Sequence, residues 1–280
     1  MKDCNKSNRN YVNFGSEARV IYLLAFLLFV ACADPGEVNP PGDDEYIYDS
    51  CVPLRIDVYD RFTEEFRWTY EFQYENGRLV YISDTRGYDR ALTYDGRNVV
   101  RMDRADPIEN SIQYDLYRYN SQHQITEIEK IFIPDPATNT TLTDEFRYTY
   151  DDGEIKRADL NLRGNVIGYI EFFGQGSVID SFHFFRQDGS LLQRERFDWD
   201  DSKGVYSNLN YFPEGLIAEG RTPFANPYNL SRRYFTQYDS IGNVLLDGSN
   251  FATYQRLNEY NYPTEFINHK LYKVEYVNCK

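Results

Sequence analysis

The segment Tyr70-Glu-Phe-Gln-Tyr-Glu-Asn-Gly77-Arg-Leu-Val-Tyr81 decides the fold of this chain. Its rings at alternate positions, Tyr70, Phe72 and Tyr74, fall on one side of an extended strand, because successive side chains of a strand point to opposite faces. Glu71, Gln73 and Glu75 fall on the other. Asn76-Gly77 then supplies the positive φ of a tight hairpin turn, which Gly adopts without a Cβ penalty and Asn tolerates. The second strand opens on an aliphatic residue, Leu79. The segment therefore predicts a β-hairpin with one aromatic face.

The unit recurs along the chain as Leu92-Thr-Tyr-Asp-Gly96-Arg-Asn-Val-Val100, Phe146-Arg-Tyr-Thr-Tyr-Asp-Asp-Gly153-Glu-Ile155, Asn161-Leu-Arg-Gly164-Asn-Val-Ile167, Phe184-Phe-Arg-Gln-Asp-Gly189-Ser-Leu-Leu192 and Gln237-Tyr-Asp-Ser-Ile-Gly242-Asn-Val-Leu245. A degenerate copy, Tyr117-Arg-Tyr-Asn-Ser-Gln-His123-Gln-Ile125, has His in place of the glycine. Glycines at 153, 164, 176, 189 and 204 space the turns for strands of about five to eight residues. No helical periodicity of comparable length exists. Tyr 26 and Phe 19 against Met 2 give an interior of flat rings, which suits pleated surfaces.

Successive hairpins form an antiparallel meander that must hide its aromatic face. The expected fold is all-β, one strongly twisted and curled sheet, with a two-sheet sandwich as the alternative. A transmembrane barrel is disfavoured, because Arg147, Lys156 and Arg157 interrupt any apolar lipid-facing band.

These units resemble the YD repeats of rearrangement-hotspot (RHS) proteins, most closely at Tyr238-Asp-Ser-Ile-Gly-Asn-Val-Leu245, and the resemblance covers most of 66–265. Spacing is more irregular than in long RHS shells, and one domain is too small for their toxin-enclosing cocoon. The layout as a whole, with Pro223-Phe-Ala-Asn-Pro227 and Tyr260-Asn-Tyr-Pro-Thr264 before a last strand, resembles uncharacterised Bacteroidetes-type surface lipoproteins. That resemblance implies a location and a fold, and no chemistry.

The N-terminus supplies an address. Val20–Ala31 is an apolar run that rises about 18 Å as a helix, short of the roughly 30 Å hydrocarbon core. Lys2, Lys6, Arg9 and Arg19 precede it and small residues follow, as in an export signal. Phe29-Val-Ala-Cys32 resembles the lipobox of bacterial lipoproteins, with Phe29 in place of the usual Leu. This implies a signal peptide over 1–31, lipid attachment at Cys32 and an outer-membrane, surface-exposed protein. Ala31-Cys32-Ala33 also fits an ordinary signal peptidase, which would discard Cys32 and release a secreted protein, and a periplasm-facing domain is a further alternative. Residues 32–50 are rich in Pro, Gly and acids and read as a disordered tether. Residues 51–280 then form a single β-domain.

Removing residues 1–31, with four basic and two acidic side chains, leaves 26 Lys+Arg against 42 Asp+Glu, a formal net charge of −16. That sign repels phosphate backbones, so nucleic acid is excluded as a partner. Cys51 and Cys279 stand at the two ends of the domain and form a disulfide pair if they meet; two isolated thiols are the alternative.

No active site emerges. His123, His183 and His269 are dispersed and share no metal-ligand spacing. Asp198-Trp-Asp-Asp-Ser-Lys-Gly204 has the start of a calcium loop, but its Gly is one place late and Leu209 stands where the bidentate Glu belongs. No nucleophile elbow or phosphate loop is present. The expectation is no enzyme, no metal and no cofactor. Binding remains, with Trp68, Trp199, Phe224 and Tyr228 as rings able to stack on a glycan or a protein, and 207–231 as the longest candidate binding loop. The opposing reading is a purely structural envelope protein whose rings pair across strands.

Overall fold

The computed structural model describes residues 51–107, 111–138, 140–175, 178–205, 207 and 228–279, all within one compact unit, Asp43–Lys280. Among them every regular element is a β-strand. In order these are β1 (Val52–Tyr59), β2 (Phe66–Glu75), β3 (Arg78–Asp84), β4 (Arg90–Asp95), β5 (Asn98–Arg104), β6 (Ile112–Tyr119), β7 (Ile125–Ile133), β8 (Leu142–Asp151) and β9 (Glu154–Leu162). They continue as β10 (Asn165–Gln175), β11 (Val178–Arg186), β12 (Leu191–Lys203), β13 (Tyr228–Tyr238), β14 (Val244–Phe251), β15 (Thr253–Leu257), β16 (Pro263–Ile267) and β17 (Leu271–Val277). The signal segment, Cys32, the tether, Phe224 and most of 207–231 lie outside the described residues.

Every pairing is antiparallel. The ladders run from β1 through successive neighbours to β14, and β15, β16 and β17 return to β1. Only Ala252 separates β14 from β15, so the meander comes back to its own first strand and nearly closes as a barrel. The curled single sheet is thus the fold, and the sandwich is not. Cys51 and Cys279 are joined in a disulfide beside the β1–β17 ladder, with the Asn258 amide 3.7 Å from each sulfur.

All seven hairpins anticipated from the repeats form, and they share one irregularity. One rung from each turn, a residue of the second strand is extra: Val80, Val100, Thr126, Lys156, Ile167, Leu192 and Leu245. These are β-bulges, which interrupt the ladder locally and increase twist. Left-handed residues fill the turns, as at Asn76-Gly77 and Asp152-Gly153, and His123, in the glycine position of the degenerate copy, has φ 62°.

The bulge explains the tyrosines. Tyr94 donates its hydroxyl to the Leu79 carbonyl (2.7 Å), Tyr119 to Val99 (2.8 Å) and Tyr150 to Ile125 (2.8 Å), each acceptor being the aliphatic residue just before the bulge of the preceding hairpin. Tyr74 bonds Pro53, Tyr254 bonds Leu230 and Tyr276 bonds Pro263 in the same manner, and the Trp199 indole N–H takes the place of a hydroxyl on Ile179. Each ring stitches its hairpin to an earlier strand and satisfies a carbonyl at the bulge. Because β2, β4, β6 and β8 all end at the same rim of the curled sheet, these rings gather there, at what we call the tyrosine rim.

Inside, Ile56, Val58, Phe72, Leu79, Ile82, Met102, Phe172 and Phe182 belong to one contiguous buried cluster. The outer face is charged: Arg118 pairs with Glu127, Arg147 with Glu145 and Arg157 with Asp159. An outward basic side chain at mid-bilayer costs about 2–4 kcal/mol in a membrane-spanning barrel, and this face carries many. β14 departs from the pattern, for Val244, Leu245, Leu246 and Phe251 are all exposed along it.

Candidate functional site

At the rim opposite the tyrosines, the inward positions change from apolar to charged. Asp115 lies two residues before the buried Tyr117 and so shares its face, and Lys130 stands directly opposite Asp115 across the β6–β7 ladder. Asp144 stands opposite Lys130 on β8. Arg104, two residues beyond the buried Met102, is on the same face one rung outward, opposite Gln113. Four neighbouring strands therefore present Arg104, Asp115, Lys130 and Asp144 on the core side of the sheet.

These groups line a cavity of about 400 Å³ together with Asp106 and Arg163. Arg104 donates to Asp115, whose side chain is 3% exposed, and the Tyr117 hydroxyl reaches the same carboxylate at 3.2 Å. Asp144 accepts the Arg163 backbone N–H at 3.1 Å. Lys130 lies 5.1 Å from the centre of the Phe146 ring. One rung outward, Gln113 and Leu142 flank Phe132 on the same face, adding an apolar wall. The six charged lining groups cancel in formal charge.

A second polar group lies deeper in the same sheet. Glu195 is fully buried and takes both nitrogens of the Arg233 fork at 2.7 Å, while Gln193 donates to it and accepts from Gln237 at 3.3 Å. Its oxygens are engaged within the protein, and losing one partner of such a pair costs about 3–5 kcal/mol, so it belongs to the framework.

On the outer face, carboxylate oxygens of Glu127, Glu129 and Glu145 lie within 4.8 Å of one another. Glu145 is raised above the usual carboxylate range, first by its hydrogen bond to Glu127 and then by burial. Glu127 is lowered by the same bond and by Arg147 and Arg118. The two guanidinium groups already supply the positive charge a metal would bring.

The sequence-derived site residues fall as follows. Trp68 packs on the core with the Arg86 guanidinium 4.0 Å over its ring, and Trp199 packs against Phe197 with its N–H bonded to Ile179. Tyr228, 44% exposed, presents an open ring. Phe224 lies outside the described residues. The Asp198–Gly204 stretch lies at the end of β12, and Asp200 there accepts the Ser202 backbone N–H at 2.9 Å and its hydroxyl at 2.6 Å.

Sequence reading missed the charged row. The signal was present in Asp115-x-Tyr117-x-Tyr119, which places the carboxylate on the ring face, and in Gln193-x-Glu195-x-Phe197-x-Trp199. Lys130 was hidden because the bulge at Thr126 shifts the alternation, so that Ile125 and Ile128, three apart, are both buried.

No protein-family model matches the chain, and no curated protein matches it. Among solved structures it is similar to a porin-like protein from Bacteroides uniformis, over 80% of this chain and 97% of that one, at 12% identity and a TM-score of 0.48. A porin-like protein from Bacteroides vulgatus is similar over 81% of this chain and 99% of that one, at 10% identity and a TM-score of 0.42. At these values neither neighbour says what this chain does.

Proposed function

We propose that this is an exported envelope protein, held at the outer-membrane surface by a lipid on Cys32, whose β-domain binds a glycan or a protein in the cavity at the charged rim. The observation that supports binding is the row Arg104, Asp115, Lys130 and Asp144 on a face that is otherwise aromatic and aliphatic. Folding alone favours apolar residues at such positions, since a charge withdrawn from water costs free energy unless it is paired. A cavity of about 400 Å³ is within the range of small-ligand sites. The anchor rests on the Val20–Cys32 junction, and no catalytic step is assigned.

The second reading, a structural envelope protein without a specific ligand, is favoured by the tyrosines, which are spent on carbonyls rather than offered to solvent. A glycan-array and pull-down screen of the detergent-solubilised full-length protein separates the two. A hit lost on heat denaturation supports binding, and no hit above the denatured control leaves the structural reading. For the anchor, cells carrying Cys32→Ser are fractionated; recovery of variant and parent alike in the membrane pellet would overturn it.

A further inference from the structure

We infer that the ligand of the charged-rim cavity is a neutral, hydroxyl-rich molecule, a saccharide, held by Lys130 and Asp144 with Phe132 beneath its apolar face. This rests on the binding function proposed above and names the class of ligand.

Charge is the first ground. Arg104, Lys130 and Arg163 oppose Asp106, Asp115 and Asp144, so the lining has no net charge in a chain of net −14. A phosphate, sulfate or ammonium group entering it meets as many like charges as opposite ones. A neutral polyol meets no such conflict.

Spacing is the second ground. Neighbouring strands lie about 4.8 Å apart, so Lys130 and Asp144 set a donor beside an acceptor across the β7–β8 ladder, while Asp115, held by Arg104 and Tyr117, backs Lys130 on the other side. A sugar hydroxyl both donates and accepts, and a pair that offers the two roles serves adjacent hydroxyls of one ring. Carboxylates and ammonium groups make the stronger, charge-assisted kind of hydrogen bond to such hydroxyls. Gln113 adds an amide that offers both roles.

Shape is the third ground. Phe132 and Leu142 stand opposite one another across β7 and β8 and border the polar row. A sugar ring has C–H faces and a hydroxyl edge, and it fits a site with one apolar wall and one polar row. A peptide would bring its own backbone ladder, for which these inward positions offer no strand edge.

The test is titration of the detergent-solubilised full-length protein with neutral gluco- and manno-oligosaccharides, and in parallel with oligogalacturonate and a sulfated glycosaminoglycan. A neutral oligosaccharide is expected to bind with an affinity that changes less than about twofold between low and high salt, because no ligand charge is there to screen. Lys130→Met and Asp144→Asn are each expected to weaken it about tenfold or more, as for loss of a hydrogen bond to a charged group. Arg147→Ala, on the outer face, leaves it unchanged. Circular dichroism and thermal melts of each variant show whether a loss of binding is a loss of fold. Binding confined to the anionic glycans with a steep salt dependence overturns the inference and leaves the site. A protein ligand blocked by the same two variants overturns the inference and keeps the binding function. No binding by any glycan or protein overturns both.

Discussion

Replacing Tyr150 by Phe tests the carbonyl stitching that orders the meander. The substitution keeps the ring and removes only the hydroxyl that donates to Ile125 at 2.8 Å. Burial holds this phenol well above its ordinary pKa of 10.0, so water does not stand ready to replace the lost bond. An acceptor left unsatisfied in such a place costs about 1–3 kcal/mol; Phe leaves no charge and no large void, so we expect about 1.5 kcal/mol. For a domain of this size that is a fall in Tm of about 3–6 °C. Tyr169→Phe is the matched control, since Tyr169 stacks on Phe185 at 4.9 Å on the outer face and its substitution should stay within about 0.5 kcal/mol. Tyr119→Phe removes the bond to Val99 in the preceding hairpin, and the double variant should lose about 3 kcal/mol, adjusted by any coupling between the neighbouring rings. Urea unfolding followed by tryptophan fluorescence reads each value. If Tyr150→Phe and Tyr169→Phe are equally harmless, the hydroxyls are incidental and the account of the repeat is wrong.

Burial also raises the phenols of Tyr119, Tyr254 and Tyr276 above their ordinary value of 10.0. Above pH 10 the unfolded chain therefore binds fewer protons than the native one, and the stability these groups hold below pH 10 falls by about 1.4 kcal/mol per pH unit for each phenol. Urea midpoints should drop steeply from pH 10 upward; midpoints that stay flat above pH 10 contradict this. The disulfide spans a separation of 228 residues, for which the chain-entropy relation gives up to about 5 kcal/mol. The double variant Cys51→Ser, Cys279→Ser should show a large fall in urea midpoint, and an unchanged midpoint refutes the closure argument. A Cβ on Gly168 would stand 1.9 Å from the Phe185 carbonyl oxygen, whereas one on Gly164 meets nothing within 4 Å and is opposed only by φ +80°. Gly168→Ala should therefore cost more than about 3 kcal/mol and Gly164→Ala about 1 kcal/mol, and equal losses would count against the close approach of β10 and β11. On β14, Leu245 is 67% exposed along a strand with a single acid, so Leu245→Lys should reduce turbidity at high protein concentration with Tm unchanged; equal turbidity removes the strand as the cause.

What could be read from the sequence was what is local. A turn such as Asn76-Gly77 and the rings before it act within a dozen residues, so the hairpins and their order were visible. The acceptor of Tyr150 was not, because Ile125 lies in the preceding hairpin and its carbonyl is marked by a bulge that no residue type announces. The same bulges shift the two-residue period, and a face counted outward from the turn then comes out reversed beyond it. That is why Lys130 was hidden while Asp115, on the strand before its turn, kept a readable alternation with Tyr117 and Tyr119. For Trp68 and Trp199 the contacts are equally non-local: the Arg86 guanidinium lies over one ring and the Ile179 carbonyl accepts the other's N–H, each supplied from another part of the chain.

The two rims differ because the repeat has a direction. In each unit the ring precedes the turn and the aliphatic residue follows it, so among β2 to β9 the ring-bearing turns fall at one rim and the longer connections at the other. Apolar packing and hydroxyl–carbonyl bonds are concentrated at the first. At the second, the inward positions are no longer needed to fill the interior, and Arg104, Asp115, Lys130 and Asp144 occupy them while neutralising one another. A row of charges there destabilises the fold less than the same row would among Phe172 and Phe182, because the cavity gives water a route to it. The polarity of a local hairpin unit thus separates the end of the sheet that holds the fold together from the end that carries the charged row, where we propose that a ligand binds.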